Sequence, residues 1–290
     1  MRASLYNGAM LSYLHGFHAG NAADVLKHSV LIFCLSYLKK KEKPLLCADT
    51  HAGAGLYDLA GTANRELEKG LGLLLRRSAE ELPPMVGAYV KLCGDCPQRE
   101  YPGSPLIMAQ LLEKGDRLVC FELHPREAES LASCMLEIRG GAKPGIEVRR
   151  EDGPAGLKAL LPPPSRRGLI HVDPSWEEQS EYETVPRAVQ SGLKRFPEGT
   201  FIVWYPLLAL PKEKAAGLPP LPDALFGLSG GKRCRAELCT DTAAHSPRGM
   251  YGSGLVVFNP PWTLRAALEE TLPYLADALG QGSWRLEWEG

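Results

Sequence analysis

Four short apolar runs in this chain each lead into an acidic residue, and that pattern limits the available folds more than any other feature. Leu45–Asp49 and Gly168–Asp173 end on Asp49 and Asp173, Arg117–Glu122 ends on Glu122, and Gly145–Arg150 leads into Asp152. One acid after a strand is explained as a helix cap or a loop residue. Four in succession, with glycines after the first, are not. Between and around these runs the apolar spacing predicts helices over Ala22–Leu38, Glu127–Arg139, Glu181–Phe196 and Leu264–Leu279, the first read as amphipathic with Asn21 as its cap. Further strands are expected at Thr200–Tyr205, Cys234–Cys239 and Gly254–Asn259, and the Pro- and Gly-rich stretch Pro206–Gly231 reads as irregular or weakly helical. Strands alternating with helices imply an α/β fold, an open parallel sheet covered on both faces. Ligands of such sheets sit beyond the carboxyl ends of the strands, where strand order switches, and the four acids fall there.

The chain is long enough, at 290 residues with 44% hydrophobic content, for one core plus a small insertion. Its longest apolar run, near Val30–Leu38, is broken by Cys34, Ser36 and Tyr37, so no membrane partner is expected and the protein reads as cytoplasmic. A formal net charge of −1 excludes a broadly basic nucleic-acid binder. Local patches remain: Lys39, Lys40, Lys41 and Lys43; Arg76 and Arg77; Arg149 and Arg150; Arg166 and Arg167; Lys232, Arg233 and Arg235. Cys34, Cys47 and Cys120 read as core thiols. Cys93 and Cys96 make one half of a metal site without the other half, so no metal is expected.

Spacing says more about the ligand. In a simple dinucleotide fold the ribose-binding acid follows the glycine loop by ~20 residues. Here Glu122 lies 73 residues after Asp49 (122 − 49), which leaves room for an insertion after the first strand. We therefore divide the chain into a main domain, 1–56 and 105–290, and an inserted helical subdomain, 57–104, which could form a lid or grip RNA. Gly53 and Gly55 permit close backbone approach to a ligand. Walker-type Lys-Ser/Thr is missing after them, which argues against a triphosphate. Glu122 can take both ribose hydroxyls and Asp152 can accept from an adenine amine. Adenosine without a phosphate motif fits S-adenosylmethionine better than NAD.

Asp173-Pro174-Ser175-Trp176 resembles the Asp/Asn-Pro-Pro-Tyr/Phe/Trp motif of amino-group methyltransferases. An adenine N6 lone pair is delocalised into the ring and must be localised as transfer proceeds. Asp173 can accept one N–H and the Pro174 carbonyl the other, which favours the nitrogen as it gains positive charge. Trp176 can stack on a flipped-out base, worth ~1–3 kcal/mol for such contacts.

Longer strings extend the resemblance: Met10-Leu11-Ser12-Tyr13, His15, Phe17 to Asn21, Ala23 to His28, Asp49 to Gly55, Tyr101 to Pro105, Glu122 to Pro125, Asp152-Gly153, Ser165 to Gly168, Trp204-Tyr205-Pro206, Arg248-Gly249-Met250 and Ser253 to Trp262. With these the chain is identified as a member of the bacterial 23S ribosomal RNA adenine-N6 methyltransferase family, once described as involved in catabolism of external DNA. The resemblance implies a Rossmann-like S-adenosylmethionine-dependent sheet with a helical insertion after the first strand. It implies cofactor binding by Lys27, His28, His51, Gly53, Gly55, Ser104, Glu122, Asp152, Gly153 and Asp173. It implies a reaction centre of Asp173, Pro174, Trp176, Tyr13, His15 and Lys27. The implied substrate is one adenosine, adenine 2030, of 23S ribosomal RNA, taken by a monomer as protein-free or early-assembly RNA. Alternatives are a DNA adenine methyltransferase and a non-catalytic protein of external-DNA utilisation. The family carries Pro where this chain has Ser175, which is expected to loosen the backbone that aims the Pro174 carbonyl. Its pattern begins near Met10, so residues 1–9 read as an extension or a misassigned start.

Overall fold

A computed structural model describes residues 18–59, 65–96, 100–138, 144–209, 220–239 and 249–290. Its centre is an eight-stranded sheet. The strands are β1 (Leu46–Asp49), β4 (Arg117–Phe121), β5 (Gly145–Arg149), β6 (Gly168–Val172), β7 (Thr200–Ala209), β8 (Arg233–Cys239), β9 (Gly249–Phe258) and β10 (Ser283–Glu289), in the order β10-β8-β9-β7-β6-β1-β4-β5. The pairs among β5, β4, β1, β6 and β7 are parallel, as expected. β9 runs antiparallel to both β7 and β8, and β10 antiparallel to β8, so the sheet is mixed rather than parallel throughout. Residue alternation divides the interior into two layers. Cys47, Leu118, Cys120, Leu169, Ile202 and Val257 face one core, and Ala48, Val119, Phe121, Ile170, Phe201 and Val256 face the other.

Helix α1 (Ala22–Lys39) was expected to be amphipathic. Instead, every residue from Ala23 to Ile32 is buried. It is wrapped by α4 (Pro84–Gly94), α5 (Ser104–Leu111), β9 and the last helix, α10 (Leu264–Ala278). Asn21 caps it as anticipated, accepting from the backbone N–H of Asp24 at 3.0 Å. Enclosing a helix that carries Asp24, Lys27 and His28 forces those side chains to find partners inside the protein.

Residues 57–104 hold α2 (Arg65–Lys69), α3 (Leu71–Leu74) and α4, framed by a two-stranded ribbon of β2 (Leu56–Asp58) and β3 (Glu100–Pro102) that sequence periodicity did not reveal. Leu74, Val86 and Tyr89 join the same core as α1. On the sheet's second face lie α7 (Gly153–Leu160), α8 (Glu181–Arg195) and α9 (Leu221–Phe226), while α6 (Pro125–Ile138) buries Leu131 and Met135 against the first. The thiols of Cys34, Cys47 and Cys120 are fully buried. Among the described residues no helix is long and apolar enough to cross a membrane.

Candidate active site

The strand order reverses at β1, which has β4 on one side and β6 on the other, so a crevice opens at the carboxyl ends of these strands. A cavity of about 630 Å³ occupies it, lined by residues of α1, the loop after β1, α5, the loop after β4, the loop after β6 and the far half of β7. That volume suits a ligand the size of a nucleoside conjugate.

The loop after β1 is held from beneath by Asp49, which is fully buried. Its Oδ2 accepts from the Ser104 hydroxyl at 2.7 Å and its Oδ1 from the His51 backbone N–H at 3.2 Å, with His171 Nδ1 3.5 Å away. Burial pushes the Asp49 carboxyl up, but His171 and these donors outweigh it and hold the group below its ordinary range. Gly53 adopts a positive φ of 61°, and a Cβ there would stand 2.1 Å from the Tyr57 hydroxyl. Its N–H donates to Glu122 Oε2 at 2.8 Å, while the His124 N–H donates to Oε1 at 2.7 Å. Both oxygens of Glu122 are thus fixed by the backbone, and each keeps acceptor capacity toward the cavity. Burial raises the Glu122 pKa, against the pull of those two donors.

Lys27 is the centre of the opposite wall. Its Nζ lies 2.5 Å from Asp173 Oδ2 and 2.8 Å from Asp24 Oδ1, and its side chain is only 3% exposed. Burial disfavours its charge, but Asp173 and Asp24 together more than reverse this, and its pKa rises. Asp24 is held in turn by the Gly20 N–H at 2.9 Å. Among the described residues neither Asp173 Oδ1 nor the Pro174 carbonyl has a hydrogen-bond partner, so both remain available as acceptors. His28 is buried and His51 half-buried, and desolvation at the cavity wall lowers their pKa values to about 3 and about 4, leaving both rings neutral. His28 Nδ1 is 2.7 Å from the Tyr101 hydroxyl, and His51 Nδ1 is 2.8 Å from Thr50 Oγ1.

The cavity brings together Lys27, His28, His51, Gly53, Ser104, Glu122, Asp173, Pro174 and Trp176 from the residues expected by sequence. Gly55, Asp152 and Gly153 do not line it. Gly55 packs against α6, where a Cβ would meet Leu131 Cδ1 at 2.9 Å. Asp152 caps α7, accepting from the Ala155 N–H at 2.9 Å, and is close enough for its charge to act on His51. Gly153 abuts the loop after β1, where a Cβ would stand 2.0 Å from the Thr50 carbonyl. Tyr13 and His15 lie outside the described residues.

Trp176, expected to stack on a base, lines the cavity but is largely covered. It is 4% exposed, its Nε1 donates to the Trp204 carbonyl at 3.1 Å, and Tyr182 meets its ring edge-on at 5.4 Å. Little ring face is open to a base in this conformation. The backbone at Trp176 is left-handed, with φ of 58°, an uncommon state for a bulky residue and one that marks strain at the site. The loosening expected from Ser175 is partly countered, since its hydroxyl lies 3.5 Å from Glu181 Oε2 and 3.4 Å from the Glu177 N–H. Sequence reasoning missed three contributors: Asp24, Asp49 as the loop's anchor, and Trp204. The half-buried Trp204 lines the cavity with its ring 5.6 Å from Lys27 Nζ. Asp24 could have been found, because it precedes Lys27 by three residues on one helix. Trp204 sits within an apolar strand and gives no such signal.

A family model described as ribosomal RNA large subunit methyltransferase D, RlmJ, matches residues 42–290. Two proteins named ribosomal RNA large subunit methyltransferase J are similar along nearly the whole chain. That of Haemophilus influenzae is 39% identical over 290 residues, spanning 96% of this chain and 99% of the relative. That of Escherichia coli is 38% identical over 287 residues, spanning 96% and 99%. A crystal structure of a Legionella pneumophila protein, 33% identical, superposes with a TM-score of 0.82 over 94% of this chain and 98% of the other.

Proposed function

The chain belongs to the RlmJ family of ribosomal RNA large subunit methyltransferases, and on that premise we propose that it methylates the N6 amine of one adenosine, adenine 2030, of 23S ribosomal RNA with S-adenosylmethionine. One observation carries the reading: Asp173 Oδ1 and the Pro174 carbonyl, on adjacent residues lining the cavity, have no hydrogen-bond partner among the described residues, while Lys27 fixes the other Asp173 oxygen. An exocyclic amine has two N–H groups to give. Held by both acceptors, its lone pair turns toward the methyl donor and its growing positive charge is stabilised. S-adenosylmethionine, when bound, would supply the methyl group from its sulfonium, and the amine held by the two acceptors would take it and release one proton to water.

The cofactor is assigned to the wall opposite Lys27 and Asp173. Glu122 accepts from the ribose hydroxyls and neutral His28 and His51 with Ser104 line the remainder, while Asp152 and Gly153, which do not line the cavity, serve the cofactor from behind by bracing the loop after β1. Lys27 joins cofactor pocket and reaction centre, and Tyr13 and His15 are assigned to that centre by the family pattern. Trp176 shapes the base pocket from below. Residues 57–104 act as an inserted subdomain that secures the entrance, a reading supported by the Leu71 N–H donating to the Gly20 carbonyl at 2.8 Å beside α1.

The test is methyl transfer from labelled S-adenosylmethionine to unmodified large-subunit RNA, to matched DNA, and to both with Asp173→Ala. N6-methyladenosine in the RNA alone, absent with the variant, is the expected result. Label in DNA instead, or cofactor binding without transfer to either, would replace it with the DNA or the non-catalytic alternative.

A further inference from the structure

The rim at the amino ends of the parallel strands, opposite the cavity, carries features the reaction does not use. Strands β1, β6, β7 and β8 start there and antiparallel β9 ends there. At that end stands Trp262, 78% exposed. A single exposed apolar side chain needs no explanation. Trp262 differs in its mounting. Asn259 is left-handed, with φ of 49°, and its amide donates to the carbonyls of Pro197 at 2.6 Å and Gly199 at 2.7 Å. Its backbone N–H donates to the Lys232 carbonyl at 2.7 Å and its carbonyl accepts from Thr200 Oγ1 at 3.0 Å. Pro260 and the buried Pro261 then carry the chain stiffly to Trp262.

The unpaired charges on this rim are mostly positive. The Arg167 guanidinium ties the backbone of Leu38, Lys41 and Lys43 to the start of β6. Arg166, Arg233 and Arg265 are matched by Glu198, Glu289 and Glu269. Exposed Lys41, Lys43, Lys194 and Lys232 form no ion pair among the described residues, and Glu42 is the unpaired acid beside them. The cavity mouth is the reverse, edged by Glu127, Glu177, Glu178 and Glu181, while its cation Lys27 is already neutralised. A polyanion bound only at that mouth would meet repulsion.

We propose that this rim is a second RNA-docking face, where Trp262 stacks on an unpaired base and the four lysines hold phosphates. Lysine is depleted from protein–protein interfaces, whereas an exposed aromatic on the same rim as unpaired cations is how single-stranded nucleic acid is held. The inference rests on RNA being the substrate, and binding judges it separately from turnover.

The test compares the wild-type chain with Trp262→Ala and with Lys194→Ala/Lys232→Ala. It measures affinity for a long large-subunit RNA fragment across salt, and methyl transfer to a short hairpin holding the target adenosine. Trp262→Ala should weaken long-RNA binding about tenfold with an unchanged salt slope. The lysine pair should reduce the slope of log affinity against log salt by about 1.5. Turnover of the hairpin should stay at the wild-type rate in both. Wild-type affinity for long RNA in both variants would overturn the proposal. So would concentration-dependent self-association that Trp262→Ala abolishes while RNA binding persists, which would give the face to a second copy. If the wild type methylates no RNA, the functional reading fails while the binding comparison still decides this one.

Discussion

Lys27 lies between the carboxylates of Asp24 and Asp173 with almost no water around it. Removing its charge leaves two buried acids facing each other without a counterion, which typically costs about 3–5 kcal/mol. Lys27→Met should therefore lower the urea midpoint markedly and abolish turnover. Adding Asp24→Asn should recover most of the stability but none of the activity, and recovery of activity would show that Lys27 serves only the fold. The two cavity histidines give a pH dependence. The pKa values of His28 and His51 are depressed in the folded protein from 6.5 to about 3 and about 4, so the unfolded chain binds protons that the native state refuses. Their stabilising contribution is complete above pH 6.5 and fades as pH falls toward 4. Urea titrations at pH 7.5, 6 and 5 should show this loss, and His51→Asn should flatten it. At this scale the acids after the strands were legible, because strand ends in an α/β sheet must converge on the crevice. Lys27 and His28 were legible only through family resemblance, since on an amphipathic helix Lys27 reads as a surface lysine and His28 as a satisfied surface or core histidine, and the enclosure of α1 is a tertiary fact.

The elements contribute through close approach of backbones. Gly153 opens α7 against the loop after β1, with no room for a Cβ beside the Thr50 carbonyl. Gly153→Ala must shift the loop that carries His51 and Gly53. The expected cost is about 1–3 kcal/mol, with a raised KM for S-adenosylmethionine. Gly94 is the contrast. It is an exposed helical residue at the end of α4 whose Cβ would meet nothing within 4 Å. Gly94→Ala should stabilise by up to about 1 kcal/mol and leave KM alone, and differential scanning calorimetry with initial-rate kinetics separates the two. Strands β1, β4, β5 and β6 were readable from their apolar runs to within a residue or two at their ends. β10 was not, although Leu286 and Trp288 pack inward while Arg285 and Glu287 pair outside. None of its residues is fully buried, and Arg285, Glu287 and Glu289 interrupt the apolar positions. The β2–β3 ribbon is three residues on each side and lies below what alternation can resolve.

For the whole molecule, depth of the site decides which RNA it can use. The Lys27 and Asp173 side chains are 3% and 13% exposed, within a cavity entered between α1 and the loops after β4 and β6. On the proposed reaction, an N6 amine inside a stacked helix cannot reach Asp173 Oδ1, so the nucleotide would have to leave its stack and enter the cavity. Extrusion costs a few kcal/mol from a free helix, and more where neighbouring RNA and protein hold the strand. Each 1.4 kcal/mol of added cost lowers the fraction extruded tenfold. Transfer rates should therefore fall from protein-free large-subunit RNA to an early assembly particle to the completed subunit, with the largest drop at the last step. Single-turnover rates on the three substrates at saturating S-adenosylmethionine measure this directly. Equal rates would mean that the adenosine stands already unstacked in the finished subunit, and that the cavity's depth selects a base by its shape and amine rather than by the cost of freeing it.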